Sequence, residues 1–279
     1  MTVPTDTIPN DTIPNDTIDK LEETWHAASA VCADITEAQW TSPTDLPGWS
    51  VKDNISHLIG IERMLQGLPR TEHRSPTFDY VKNPIGESNE NEVDSRRSVP
   101  GAQVLTEWND LVALRLATLR GADAAYFSTE TMTPMGPGTI ADFLHIRVLD
   151  SWAHEQDIRR ALDRPGGFDG NSAAHTIDRL IRTLPIVIGK RAGAVEGSAV
   201  TIDVTGAVSR HLTYEVANGR AALVATPTHP PVAVVRLDCD AFAVLALGRR
   251  TARDLTTRIE LEGDVELGHR VVNQLNMMI

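Results

Sequence analysis

The sequence predicts an α plus α+β protein, with an N-terminal four-helix bundle followed by a smaller C-terminal α+β domain. Three observations carry that expectation. Apolar residues recur every three or four positions in long stretches up to Arg164, and after Pro165-Gly166-Gly167 the pattern changes to alternating, β-rich runs. The chain's 279 residues also reach the length at which one hydrophobic core tends to split into two. The expected organisation is a loose tail over 1–17, a helical bundle over 18–166 and an α+β domain over 170–279.

The first residues, MTVPTDTIPNDTIPNDT, repeat Thr-Ile-Pro-Asn-Asp, with helix-breaking prolines and too little apolar content to offset the entropy of ordering. Leu21, Trp25, Ala28, Cys32 and Ile35 then follow helical spacing and predict a first helix over 18–35. After a turn at Ser42-Pro43, Ser50 with Asp53 three residues on is a capping-box signature. It opens a second helix that ends at Gly67 and carries Val51, Ile55, Leu58, Ile61 and Leu65 on its apolar face. Residues 68–100 read as a long polar loop closed by Arg96-Arg97, and a loop of that length in a compact domain usually serves function or moves. Val104, Leu105, Trp108, Leu111, Val112, Arg115, Leu116 and Leu119 mark a third helix. The fourth runs from Thr139 to Arg164, capped by Thr139 and Asp142, with Ile140, Leu144, Val148, Ile158 and Leu162 as its apolar stripe. No strand is expected within 18–166.

Beyond Pro165, one helix is predicted over Ala173 to Gly189. The alternating runs AVTIDVTG, RHLTYEVANG, RAALVA and VAVVRLD follow, with turns at Asn218-Gly219 and between Pro227 and Pro231. A short helix in AFAVLALGRR, a strand in TRIELEGD and a helix in VELGHRVVNQLNM complete the α+β domain.

The net charge of -12, without any Lys/Arg-rich block, argues against nucleic acid or an anionic membrane surface as the main partner. No apolar run approaches the roughly 20 residues needed to span a bilayer, and no basic region with an apolar stretch marks the N-terminus for export. Cys32 and Cys239 lie in different predicted domains and suggest neither a disulfide framework nor a thiolate metal knuckle, so a cytoplasmic location is expected.

The chemistry-bearing residues cluster on the fourth helix. At about 100° per residue, Arg147, Asp150, His154 and Asp157 share a strip along the core margin. Asp150 and His154, four apart, aim two potential metal ligands the same way. His57 sits at the edge of the second helix's apolar face. Two imidazoles and one carboxylate form a ligand set that leaves positions open on zinc or a similar divalent ion, as catalytic sites do. The same residues also fit a helical ion pair between Asp150 and His154 with His57 packed in the core. Glu62 projects near the middle of an apolar stripe, so it must be paired, ligate something or face a cavity.

LPGWSVKDNISHLIG followed by HIRVLDSWAHEQDIRRAL resembles the N-terminal half of the mycothiol-dependent maleylpyruvate isomerase family of actinobacteria, a branch of the DinB-like four-helix metalloproteins. The segments ALGRR and LEGDVELGHRVVNQL resemble its smaller sterol-carrier-like domain. The resemblance implies zinc held by His57, Asp150 and His154, mycothiol as thiol cofactor and a small electrophile as substrate. In that isomerase the metal-activated thiolate adds to a double bond, rotation follows, and elimination returns the thiol; related members transfer the thiol to electrophiles instead. The family usually has Glu where this chain has Asp150, one methylene shorter. Arg96, Arg97 and Arg249 are candidates to hold carboxylates of substrate or thiol, because guanidinium forks match them, although most surface arginines are simply solvated. A non-catalytic metal- or apolar-ligand-binding protein is the alternative of a different class.

Overall fold

The computed structural model describes residues 12–276, which divide into two compact units, 12–167 and 168–276. The first unit is a helical bundle. Among the described residues its long helices are α1 (Asn15–Cys32), α3 (Val51–Leu65), α5 (Gly101–Gly121) and α7 (Ile140–Ala161). Packing of α1 on α7 and α5, and of α3 on α5 and α7, closes them into a ring. Shorter helices α2 (Glu37–Trp40), α4 (Pro84–Asp94) and α6 (Ala124–Ser128) fill the connections.

The helices that matter most start where their capping signals stand. Ser50 accepts from the Asp53 backbone N–H while the Asp53 carboxylate accepts from the Ser50 N–H, and Thr139 and Asp142 repeat this at α7. Each such cap contributes about 1 kcal/mol. The core fills from the predicted stripes: Leu21, Trp25 and Ala28 of α1, Ile55 and Leu58 of α3, Trp108 of α5, and Leu144, Val148 and Ile158 of α7 are essentially inaccessible to solvent. Trp25 and Trp108 meet edge to face at 6.1 Å, and the Trp25 indole N–H donates to Ser151 Oγ at 3.0 Å.

Four expectations are corrected. Asn15 to Thr17 form the first turn of α1 rather than the end of a tail, with Thr17 buried; the rest of the repeat, residues 1–11, lies outside the described residues. The 68–100 stretch is not all loop, because Asn83 caps α4 through the Gly86 N–H and Pro84 stands at its first turn, where a missing N–H costs nothing. The bundle unit is not strand-free: β1 (Glu130–Thr133) and β2 (Gly136–Thr139) pair antiparallel ahead of α7. The predicted 173–189 helix is broken. α8 (Asn171–Ile181) stops, and α9 (Leu184–Ile186) and a π-helical turn (Val187–Arg191) follow, because Pro185 cannot donate to the carbonyl four residues back.

The second unit carries a five-stranded sheet of β3 (Ala199–Thr205), β4 (Arg210–Ala217), β5 (Arg220–Val224), β6 (Ala233–Asp238) and β7 (Ile259–Gly263), in the order β5-β4-β3-β6-β7. All neighbours are antiparallel except β3 and β6. Strict alternation in β6 buries Ala233, Val235 and Leu237 on one face. Helices α8, α10 (Cys239–Ala246) and α11 (Val265–Asn273) pack within this unit.

Candidate metal centre

α3 and α7 pack side by side, and their polar margins bring His57, Asp150 and His154 together. One potential ligand atom from each lies within 4.8 Å of the others. His57 Nε2 stands 3.3 Å from Asp150 Oδ2, and His154 Nε2 stands 3.6 Å from Asp150 Oδ1. Both imidazoles are buried, whereas Asp150 keeps 28% of its side chain accessible and forms the open edge of the group.

The trio is roofed and backed by its neighbours. Trp49 lies over both imidazoles, its ring centre 5.2 Å from His57 and 5.9 Å from His154. It is presented by the Pro47-Gly48 turn, where Gly48 has φ of 77° and a Cβ would come within 2.2 Å of the Tyr80 ring. The Trp49 indole N–H donates to Glu90 Oε2 on α4 at 2.9 Å. Behind Asp150, the Arg147 guanidinium donates to its Oδ2 and, through Nε, to Glu62 Oε1 at 2.7 Å. Arg115 of α5 donates to Glu62 Oε2 at 3.0 Å. Glu62 is thus fully buried and paired with two arginines.

The protonation states suit a cation. Burial pushes the His57 imidazole down to about 4, so at neutral pH the ring is uncharged and has a lone pair to give. Burial works against ionisation of Asp150, but Arg147 first, and then His154 and His57, hold its carboxyl well below the usual range. His154 Nδ1 is hydrogen-bonded to Asn54 Oδ1 at 2.7 Å, so a neutral His154 carries its proton there and turns a bare Nε2 toward the ionised Asp150. Two acceptors facing each other at 3.6 Å is an arrangement that a cation between them relieves. Two nitrogens and an oxygen form a donor set suited to zinc and similar divalent ions.

The arginines singled out from sequence each have protein partners of their own. Arg96 is buried and donates through Nε and Nη2 to both oxygens of Glu107, and through Nη1 to Glu92. Arg97 pairs with Asp53, Glu90 and Asp94 and stands over the Phe78 ring at 5.2 Å. Arg249 belongs to the second unit, where it donates to the Leu247 carbonyl. Sequence reasoning missed Asn54 and Trp49. Asn54 does carry a signal, since it lies one helical turn before His57 and is a polar side chain on a helix that is buried almost all round.

Similarity to known proteins extends over both units. Residues 21–159 match the Mycothiol maleylpyruvate isomerase N-terminal domain, and residues 173–270 match the C-terminal domain of the same family. The chain belongs to the mycothiol maleylpyruvate isomerase family. Two solved structures, the mycothiol-dependent maleylpyruvate isomerase and a histidine-to-alanine mutant of it, share the fold with TM-scores of 0.55 and 0.54 at 16% identity. Each match covers 91% of this chain and 93% of the other. Uncharacterized proteins of Mycobacterium tuberculosis strains CDC 1551 / Oshkosh and ATCC 25618 / H37Rv are 27% identical over 154 residues, which are 52% of this chain. The chain spans 57% of the length of these relatives.

Proposed function

We propose that this family member is a cytoplasmic, mycothiol-dependent metalloenzyme. His57, Asp150 and His154 hold one divalent ion, zinc first among the candidates, and the reaction is isomerisation of a small electrophile, with maleylpyruvate the first compound to try. The observation that supports it most is the convergence of two buried imidazoles on one ionised, partly accessible carboxylate. A divalent ion bound there supplies Lewis acidity that keeps a thiol deprotonated near neutral pH.

The chain's own residues do the rest. The thiol has to come from outside, because Cys32 and Cys239 are both buried and burial pushes the Cys32 thiol up to about 12, far from a usable nucleophile. Trp49 covers the imidazoles and limits water at the ligands, while the Asp150 edge stays open to an incoming group. Arg147 fixes the Asp150 carboxylate from behind and offsets its charge. Arg97, Arg96 and Arg249 are the candidates for the carboxylates of a substrate such as maleylpyruvate, with Arg97 the more accessible of the bundle pair. It keeps 27% of its side chain accessible, against 9% for Arg96.

The second outcome is transfer of the thiol to an electrophile without isomerisation, and the shorter carboxylate at position 150 is the residue whose altered ligand arm bears on it. One assay separates the outcomes. Zinc-loaded protein is mixed with mycothiol and maleylpyruvate, then with a halobimane, and product is followed against a His57→Ala control. Isomerised product that requires both thiol and His57 is expected. Conjugate alone selects the transferase, and turnover that needs no thiol or survives His57→Ala refutes the proposal.

A further inference from the structure

The two imidazoles of the site are not held alike. His154 Nδ1 meets Asn54 Oδ1 at 2.7 Å, whereas His57 Nδ1 is buried and has no hydrogen-bond partner among the described residues. Asn54 sits one helical turn before His57 on α3, is fully buried, and reaches across to α7. Its amide cannot be reversed without loss, because Nδ2 donates to the Ser50 carbonyl at 2.9 Å and lies 3.4 Å from Thr44 Oγ1. A carbonyl only accepts, so the oxygen end must face His154. The other acceptor near His154 Nδ1, Asp157 Oδ2, is 3.7 Å away, beyond hydrogen-bond length.

We infer that Asn54 is a positioning residue that commits His154 to the Nδ1–H tautomer, so that a metal is taken through Nε2. Resting on the metal-centre proposal above, this identifies which side chain prepares which ligand. The cost of losing the group that orients a ligating imidazole is typically about 10- to 100-fold in metal affinity. Asn54 has two separable contacts. Its nitrogen serves the start of α3 through Ser50, and its oxygen serves His154. A purely structural residue would act through the first and a positioning residue through the second.

The test uses the full chain and zinc alone, with affinity measured by competition against a chelator. Asn54→Ala is expected to weaken zinc binding by about 10- to 100-fold. Asn54→Asp, which keeps the acceptor for His154 but sets an oxygen against the Ser50 carbonyl, is expected to recover most of that loss while lowering thermal stability. In parallel, nitrogen chemical shifts of His154 in the metal-free wild-type chain, at a pH where the ring is neutral, should report the Nδ1–H tautomer. An unchanged affinity in Asn54→Ala, an equal loss in Asn54→Asp, or an Nε2–H tautomer in the wild type overturns the inference. The tautomer measurement decides even if neither variant folds. His57→Ala and Asp150→Ala serve as controls: if they too leave zinc binding unchanged, the metal centre itself is refuted, and if they abolish it while Asn54→Ala does not, only the role of Asn54 falls.

Discussion

Two polar layers lie next to each other between α3 and α7, built from the same kinds of residue and differing in closure. In one, Glu62 is fully buried and each of its oxygens accepts from a buried arginine, Arg147 or Arg115. In the other, Asp150 shares Arg147 but turns toward two buried imidazoles and remains 28% accessible. The first layer pairs both oxygens of its carboxylate inside the protein and leaves none to solvent. The second gathers two imidazoles around one carboxylate and has an edge to solvent. A buried carboxylate is therefore no sign of a site by itself; what distinguishes a site is a donor set the protein leaves unanswered.

The largest effect expected from breaking this contrast falls on the closed layer. Glu62→Ala strands Arg115 and Arg147 without their shared counter-charge, and removing one partner of a buried ion network costs about 3–5 kcal/mol. Urea unfolding of the metal-free chain should show it. His57→Ala under the same conditions should cost only about 1 kcal/mol, an ordinary substitution, while removing zinc binding. A larger stability loss at His57 than at Glu62 would reverse the assignment of the two layers.

Asp150→Glu sharpens the open layer. A carboxylate arm one methylene longer is expected to raise zinc affinity, by up to about tenfold, measured by chelator competition. A fall would show that the spacing of α3 and α7 has already adapted to the shorter side chain. The smallest effect belongs to Cys32, buried in the apolar layer of α1. Its raised pKa means the folded chain holds the thiol proton where the unfolded chain releases it. Its contribution to stability is therefore complete below about pH 8.5 and is lost as pH rises toward 12. At pH 8 a thiol reagent should react with Cys32 only as fast as the chain opens. Rapid labelling of the native protein would contradict that burial.

The parts of this arrangement legible in the sequence are those written in local spacing. Ser50 with Asp53 and Thr139 with Asp142 mark the starts of α3 and α7, and the four-residue step from Asp150 to His154 puts both on one face. Alternation in AVTIDVTG and VAVVRLD gives β3 and β6. What local spacing hides is whatever a partner elsewhere decides. The strands β1 and β2 have four residues each, too few for a period to show, and they are defined by pairing with each other. α4 hides in a polar stretch, although Asn83 followed by Pro84 is a start signal, because its buried face combines Glu90 and Glu92 with a single apolar residue, Val93, too few for a helical period to show. The alternatives for Glu62 resolve to pairing only once Arg115 and Arg147 arrive from two other helices. Trp49 and Asn54 likewise gain meaning only across the α3–α7 contact.

The most direct measurement is the metal content of the purified full chain, before and after reconstitution with zinc, beside His154→Ala treated identically. One zinc per wild-type chain, and essentially none in His154→Ala although it remains folded, is the expected result. No stoichiometric metal in the reconstituted wild type, or equal metal in His154→Ala, would contradict the metal centre and the thiol chemistry proposed for it.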